Sequence, residues 1–383
     1  MRLLRVIHSS SLETGGPVEG LLRTSEYLLR AGHEVELVCL EAREAVVLRD
    51  YPFPVIGVGN GLGGYGFNPR LKSWVRENAG RYDAVVLHGL WNYSSVGAWK
   101  GLRGGSTPFY IYPHGMMDPW FSQESPLKHI AKQVYWWLLE GRVLHEAQAV
   151  LFTSEEERLR ARGVFRGHTY KERVVRYGSG GPPGEAGEEL GAFYQDFPVL
   201  SEKPFLLFLG RIHPKKGCDI LIHAFQRALK GSLPDLQLAV AGPDQVGWTQ
   251  QLQSMAETLG VSHRIHWLGM LKGDRKWGAL RAAQAMILPS HQENFGIAVA
   301  EAMACSTPVL ISRAVNIWQE VEWSEGGFTA PDTEVGTIEL IERFCSLDDE
   351  QRRSMGSAAR AGFLKFFDVE TASRDFMRTI GFR

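Results

Sequence analysis

Glu293 and Glu301 stand eight residues apart in "ENFGIAVAEAMA" and are the only charged groups of that stretch. The run "AMIL" and the polar "PSHQEN" precede it, so a helix is predicted to begin near Phe295–Gly296. The free N–H groups of a first helical turn form an anion site. Glu293 precedes that turn, where its carboxylate either accepts hydrogen bonds from sugar hydroxyls or serves the helix as an ordinary cap. Glu301 has no polar face to keep it in water. A buried carboxylate is costly unless it is partnered. A vicinal diol such as a ribose offers two donors to its two oxygens, and a buried Arg or a backbone group is the plain alternative.

A second chemistry-bearing stretch is "FLGRIHPKKGCDILIHAF". Gly210 lets the chain turn after an apolar run, and Arg211 and Lys216 share the loop before a helix starting near Cys218. A guanidinium fork and an ammonium beside a helix N-terminus suit a diphosphate; a solvated basic loop fits the same residues. His114, in "IYPHGMMDPW", directly follows an apolar run. It can donate to a sugar hydroxyl or phosphate, act as acid or base, or be a satisfied structural histidine. His88 in "LHGLWNYSS" comes with Trp91 and Tyr93, which offer stacking surfaces to an acceptor sugar. In "SSSLETGGPVEG", Gly15 and Gly16 let backbone N–H groups approach a phosphate or an acceptor.

Other signals carry less. "GNGLGG" (59–64) matches a dinucleotide fingerprint, but Asn68-Pro69 reads as the true helix start, so the glycines do not open a helix. His263 and His266 lack a third ligand nearby, and no Asp-x-Asp pair is present to carry a metal-bound diphosphate. No metal site and no cofactor are read from the sequence.

The elements that must position these residues alternate. Apolar runs at "LLRVIH", "HEVELVCL", "YDAVVLH", "PFYIYPH" and "AVLFTS" are separated by helical stretches, one over about 18–31. After "GSGGPPGEAGEEL" (178–190), read as a linker or loop, the alternation restarts with "PFLLFLG", "LQLAVAG", "IHWLG", "AMILPS" and "TPVLIS". Such alternation implies βαβ units and parallel sheets. The length, 383 residues, fits two domains. The expected architecture is α/β, two Rossmann-like doubly wound domains facing a central cleft. The expected boundaries are 1–185 and 186–365, with a helix at 366–383 that can pack back on the first domain. Open parallel sheets bind ligands beyond the carboxyl ends of their strands, and segments 9–17, 88–93, 114–118, 210–216, 242–244, 269–270 and 290–296 all lie there by this reading.

Net charge is −1, which gives no global argument for nucleic acid. Residues 1–180 carry roughly four more basic than acidic groups and the remainder roughly five more acidic ones, so the first half suits an anionic surface or substrate. Four cysteines without disulfide or metal spacing favour a reducing cytoplasm, and neither a signal peptide nor a membrane span is read. One predicted helix, 126–148, combines Lys128, Lys132 and Arg142 with Tyr135, Trp136 and Trp137. It suits either an anionic membrane surface or packing into the first domain.

Taken together, the chain resembles the family 4 retaining glycosyltransferases of GT-B fold, over nearly its whole length. The resemblance is strongest in "GRIHPKKG" and "PSHQENFGIAVAEAMACSTPVLIS", which holds the family's E-x7-E pair as Glu293 and Glu301. "TGGPVEGLLRTSEYLLRAGHEVELV", "HGLW", "PHGMMDPW" and "VNIWQE" look like the subgroup that builds bacterial polysaccharides. The resemblance implies a metal-independent hexosyltransferase acting on a nucleotide-sugar donor, UDP- or GDP-hexose, and a saccharide or lipid-linked saccharide acceptor. It implies that Arg211 and Lys216, with Gly210, hold the donor diphosphate. Glu293 and the backbone of Asn294, Phe295, Gly296 and Ile297 meet the donor sugar, Glu301 the ribose, and the backbone near Met270 the nucleobase. His114 lies by the anomeric centre, and Gly15 and Gly16 against the diphosphate or acceptor. Ser306 departs from the pattern, standing where the family usually has glycine, and "VVRYGSG" replaces the usual Pro-x-Gly turn leading out of the first domain. Competing readings are a sucrose- or trehalose-synthase type of enzyme, a nucleotide-sugar epimerase, an NAD-dependent oxidoreductase and a non-catalytic sugar-binding protein.

Overall fold

A computed structural model of the chain describes residues 1–11, 15–47, 51–229 and 235–382. Part of the expected ligand segment 9–17, residues 12–14, lies outside the described residues. The chain divides into two compact units, 1–178 with 369–383, and 179–368.

The first unit holds a seven-stranded sheet in the order β3-β2-β1-β4-β5-β6-β7. The strands are β1 (Arg2–Ile7), β2 (Glu34–Cys39), β3 (Val55–Gly57), β4 (Ala84–His88), β5 (Phe109–Tyr112), β6 (Ala149–Phe152) and β7 (Glu172–Val174). All pair in parallel, with Arg5 opposite Leu37 on one side and Val86 on the other. The second unit holds six strands in the order β10-β9-β8-β11-β12-β13. These are β8 (Phe205–Leu209), β9 (Gln237–Ala241), β10 (Ile265–Gly269), β11 (Ala285–Leu288), β12 (Val309–Ser312) and β13 (Gly327–Ala330). "FLLFL" and "AMIL" are buried along their whole length, as strands covered on both faces must be.

Both orders reverse direction once, between β1 and β4 and between β8 and β11. At such a switch point the connecting chains leave in opposite directions, and a crevice opens at the carboxyl ends of the strands. The Asn68 side chain accepts from Arg70 N at 3.0 Å and caps the helix Pro69–Asn78. Residues 59–64 precede that cap and open no helix, as the proline predicts. The expected linker 178–190 is partly ordered instead: the helix Ala186–Asp196 starts inside it, and buried Glu189 pairs with Arg281. That ion pair draws the acidic stretch onto its own unit, which composition alone does not show. The helix Val369–Thr379 belongs to the first unit.

Candidate active site

In the second unit the loops after β8 and β11 meet at the switch point. Gly217 makes the meeting possible. Its φ is +67°, and a Cβ there would lie 2.3 Å from the Pro289 carbonyl oxygen. Around it, His291 N donates to Lys215 O at 2.8 Å. The two loops are thereby one surface. On it the buried Lys216 ammonium bonds the Glu293 carboxylate. Burial works against charge on Glu293, but Lys216, with Lys215 and Arg211 nearby, holds its carboxyl below the usual carboxylate range. Glu293 is also fixed through its backbone: its N donates to Ala314 O at 3.1 Å, and Asn316 N donates to its O at 3.0 Å. This ties "ENFG" to "VNIWQE", a contact no local pattern predicts. Arg211 donates to Gln245 Oε1 at 2.9 Å in an exposed position. Gly210 is braced by backbone: Gly210 N donates to Ala241 O at 3.0 Å.

Gly296, in the left-handed region at φ +74°, caps the helix Ile297–Ala304. Asn294 N donates to Glu293 Oε1 at 3.1 Å, Phe295 is buried, and Ile297 opens the helix. Glu301 sits one turn further in and is 6% exposed. Its Oε1 accepts from Lys276 Nζ at 2.5 Å, and the same ammonium lies 4.4 Å from the Trp277 ring centroid. The carboxylate therefore has a cationic partner within the protein, a lysine that sequence reasoning missed. Met270 is exposed just after β10. Ser306, shortly after the end of this helix, has φ +60°, which explains why glycine is the easier residue there.

In the first unit, Gly15 (φ +94°) caps the helix Gly16–Arg30 at the carboxyl end of β1. His114 follows β5 with φ +53°, another left-handed residue, and Gly115 continues the turn at +73°. Glu157, buried, holds that turn: it accepts from Gly115 N at 2.6 Å and from Thr153 N at 2.6 Å. His114 Nε2 lies 3.0 Å from His88 Nδ1, and His88 Nε2 lies 3.3 Å from Arg5 Nη1. Burial, reinforced by the Arg5 charge, pushes the His114 imidazole down to about 3 and the His88 imidazole well below its ordinary value.

His88, expected to meet an acceptor, is 2% exposed, and both its ring nitrogens are engaged, with Arg5 and with His114. Tyr93 is likewise buried, edge-on to Tyr65 and Phe67. Trp91, with φ +65°, packs on Phe165 and donates to Met116 O at 3.0 Å. Aromatic side chains next to a strand end also serve the core, and here they do. Among the described residues no group of three or more His, Cys, Asp or Glu forms a metal ligand set.

Two family descriptions match the chain: "Glycosyl transferase 4-like domain" over residues 15–178 and "Glycosyl transferases group 1" over residues 194–362. The chain belongs to the GT-B glycosyltransferases. A D-inositol 3-phosphate glycosyltransferase from Actinosynnema mirum is 29% identical over 255 residues, covering 63% of this chain and 58% of that protein's length. HepE from Anabaena, solved in complex with UDP, superposes with a TM-score of 0.79 at 19% identity and full coverage of both chains. Sucrose-phosphate synthase from Thermosynechococcus elongatus gives 0.76 at 18% identity, over 99% of this chain and 97% of its own. Within the glycosyltransferase, Arg211, Lys216, Glu293 and the helix Ile297–Ala304 occupy the switch-point crevice of the second unit, and Gly15 and His114 lie at the strand ends of the first. A family assignment of this kind replaces the oxidoreductase reading, whose glycine motif opens no helix.

Proposed function

We propose that the chain is a retaining family 4 glycosyltransferase that moves a hexose from a nucleotide-sugar, a UDP-sugar foremost and a GDP-sugar second, to a growing polysaccharide or lipid-linked glycan. The observation that carries the donor side is the cluster at the β8/β11 switch point, where Arg211, Lys216 and Glu293 stand beside a helix N-terminus. In this reading Arg211 and Lys216 hold the diphosphate. Glu293 and the N–H groups of residues 294–297 meet the sugar hydroxyls, Glu301 the ribose, and the backbone near Met270 the base. His114 faces the donor sugar, and Gly15 and Gly16 face the diphosphate or acceptor. HepE, similar in fold, was solved with UDP.

Substitution on the front face accounts for retention without an enzymic nucleophile. The bond from the anomeric carbon to the phosphate oxygen breaks as the acceptor hydroxyl approaches from the same side. The departing oxygen takes the hydroxyl proton. The protein then contributes positioning and positive charge on the leaving diphosphate, which Arg211 and Lys216 supply without a metal. Release of nucleotide from UDP-, GDP- and ADP-sugars without acceptor tests the donor side, and the anomeric configuration of a transfer product tests retention. Inertness of all three donor classes overturns the assignment. An inositol phosphate or another small acceptor is the competing acceptor reading, favoured by the name of the Actinosynnema relative.

The helix around 126–146 supports a place at an anionic membrane surface on the cytoplasmic side. Leu127, Ile130, Val134, Trp137 and Leu138 are all exposed and follow one another at helical spacing. Residues 125–139 contain no acidic side chain, Lys128 and Lys132 lie within the span of the stripe, and Arg142 follows it. No helix among the described residues is long and apolar enough to cross a membrane, so contact is interfacial. Co-sedimentation with vesicles rich in anionic lipid at low salt is expected. Its absence, or its persistence when Ile130 and Trp137 are replaced by Ser, removes this part of the reading.

A further inference from the structure

Arg5 is an anomaly. It sits in the middle of β1, 1% exposed, without a carboxylate partner among the described residues. Its Nε and Nη2 have no hydrogen-bond partner there either, and its guanidinium lies 5.0 Å from the Phe376 ring centroid. Burial pulls it down to about 10 from the usual arginine value. Burying a cation without a carboxylate is costly, and a methionine or leucine would fill the place without that cost. Its hydrogen-bonding contact is with His88.

We propose that Arg5 and His88 are positioning residues that fix the tautomer of His114, so that His114 presents an Nδ1–H donor toward the site and never a base. The chain of contacts permits one assignment of protons. A guanidinium has only donors, so His88 Nε2 must accept and carries no hydrogen. A neutral His88 then bears its proton on Nδ1, and this donates to His114 Nε2 at 3.0 Å. That nitrogen must accept, which leaves the His114 proton on Nδ1. Protonating His88 would set an N–H against the N–H of Arg5. Protonating His114 would demand a His88 that accepts on both nitrogens, an imidazolate. Both are excluded while Arg5 is charged.

The surroundings agree with a neutral pair. The other groups facing the rings are Tyr112, in near-parallel contact with both histidines, and Tyr177, edge-on to Tyr112 and His114. Glu157 and Asp375 are the acidic groups in electrostatic reach of Tyr112, but Glu157 is spent on Gly115 and Thr153, and neither is hydrogen-bonded to an imidazole. The neutral donor on the remaining nitrogen of His114 suits a hydroxyl or phosphate oxygen of the donor. This catalytic consequence rests on the donor-sugar reading given above; the tautomer does not.

The test is therefore spectroscopic first. Protein carrying 15N-histidine is examined by two-bond proton–nitrogen spectra, with His114 and His88 assigned by the His114→Gln and His88→Gln variants. The expected result is a proton on Nδ1 of both rings, unchanged from pH 8 to pH 5.5. A proton on His114 Nε2, or titration of either ring in that range, overturns the proposal. Kinetics then follow the relay. His88→Gln, whose amide both accepts and donates, is expected to keep the rate within about threefold. His88→Phe, folded by the same thermal-unfolding criterion, is expected to lose at least tenfold in kcat with little change in KM. Equal rates for the two variants overturn the positioning role. An enzyme inactive on every donor refutes the proposed function instead, and the spectra alone then decide the tautomer.

Discussion

At the scale of single residues, the two carboxylates of "ENFGIAVAEAMA" differ by their partners. Glu293 is tied to Lys216 and held ionised by it, whereas Glu301 is sunk in an apolar helix and paired with Lys276. If Glu301 meets a ribose, its charge-assisted hydrogen bonds there contribute about 1.5–3 kcal/mol. Glu301→Gln is thus expected to weaken UDP by roughly tenfold or more in calorimetry, and unchanged affinity would show that the carboxylate does not hold the nucleotide. The histidines make a second prediction. Unfolded, His88 and His114 take up protons below about pH 6.5; folded, His114 refuses its proton until about pH 3 and His88 until well below the ordinary value. Their contribution is complete above pH 6.5 and is lost as pH falls, at about 1.4 kcal/mol per pH unit for each ring. Glu140 opposes them: its buried carboxyl, pushed up to about 8, favours the folded state as pH drops through that value. The comparison that isolates the effect is His114→Gln against the parent between pH 6.5 and 4.5. Denaturant unfolding should show a pH slope smaller by about one proton in the variant, and parallel slopes would mean that His114 titrates normally.

At the scale of elements, the site depends on how closely two loops can approach. Gly217 lets the β8 loop lie on the Pro289 carbonyl, and a methyl group there meets backbone at 2.3 Å in a left-handed conformation. Gly217→Ala is expected to cost about 2 kcal/mol or more. It should also loosen UDP, because Lys216 and Glu293 move apart with their loops. A destabilised variant with unaltered UDP affinity would show that the loops do not share a ligand. Much of this arrangement is legible in the sequence, for a definite reason. A buried parallel strand announces itself as an apolar run, so the polar residues that end it, Arg211, Lys216, Glu293 and His114, can be placed at a sheet edge from order alone. What cannot be read is contact across the fold. Lys276, Glu157 and Arg5 lie 25, 43 and 83 residues from Glu301, His114 and His88, respectively, and nothing local distinguishes them from surface charges. For His88, Trp91 and Tyr93 the sequence shows the chemistry before the burial: their types suit sugar binding, but His88 ends a buried strand, Tyr93 starts a buried helix, and Trp91 between them is partly buried against the core.

At the scale of the whole molecule, the chain does not finish where its second sheet does. After Asp368 it returns to the first unit, and the helix Val369–Thr379 with the residues after it buries Phe376, Ile380 and Phe382 there. Each such side chain contributes about 1.5–3 kcal/mol, so the segment carries on the order of 5 kcal/mol, a large share of the roughly 5–15 kcal/mol that holds a domain folded. It also covers functional ground. Phe376 lies over Arg5 and beside Tyr112, its ring 6.4 Å from the tyrosine's, so removing it opens the buried cation to water. A chain ending at Asp368 should therefore lose stability in the first unit and keep it in the second, although every deleted residue follows the second in sequence. Hydrogen exchange resolved by peptide is the decisive measurement. Protection should fall across β1, β4 and β5 and remain across β8, β11 and β12. In the same truncated chain most of the UDP affinity should survive, because Arg211, Lys216 and Glu301, proposed to hold the nucleotide, lie in the second unit, while transfer should fail with the loss of an ordered His114. Equal loss of protection in both units would show that they fold as one cooperative body, and undisturbed exchange in β1 would show that the terminal helix is merely resting on a unit that stands without it.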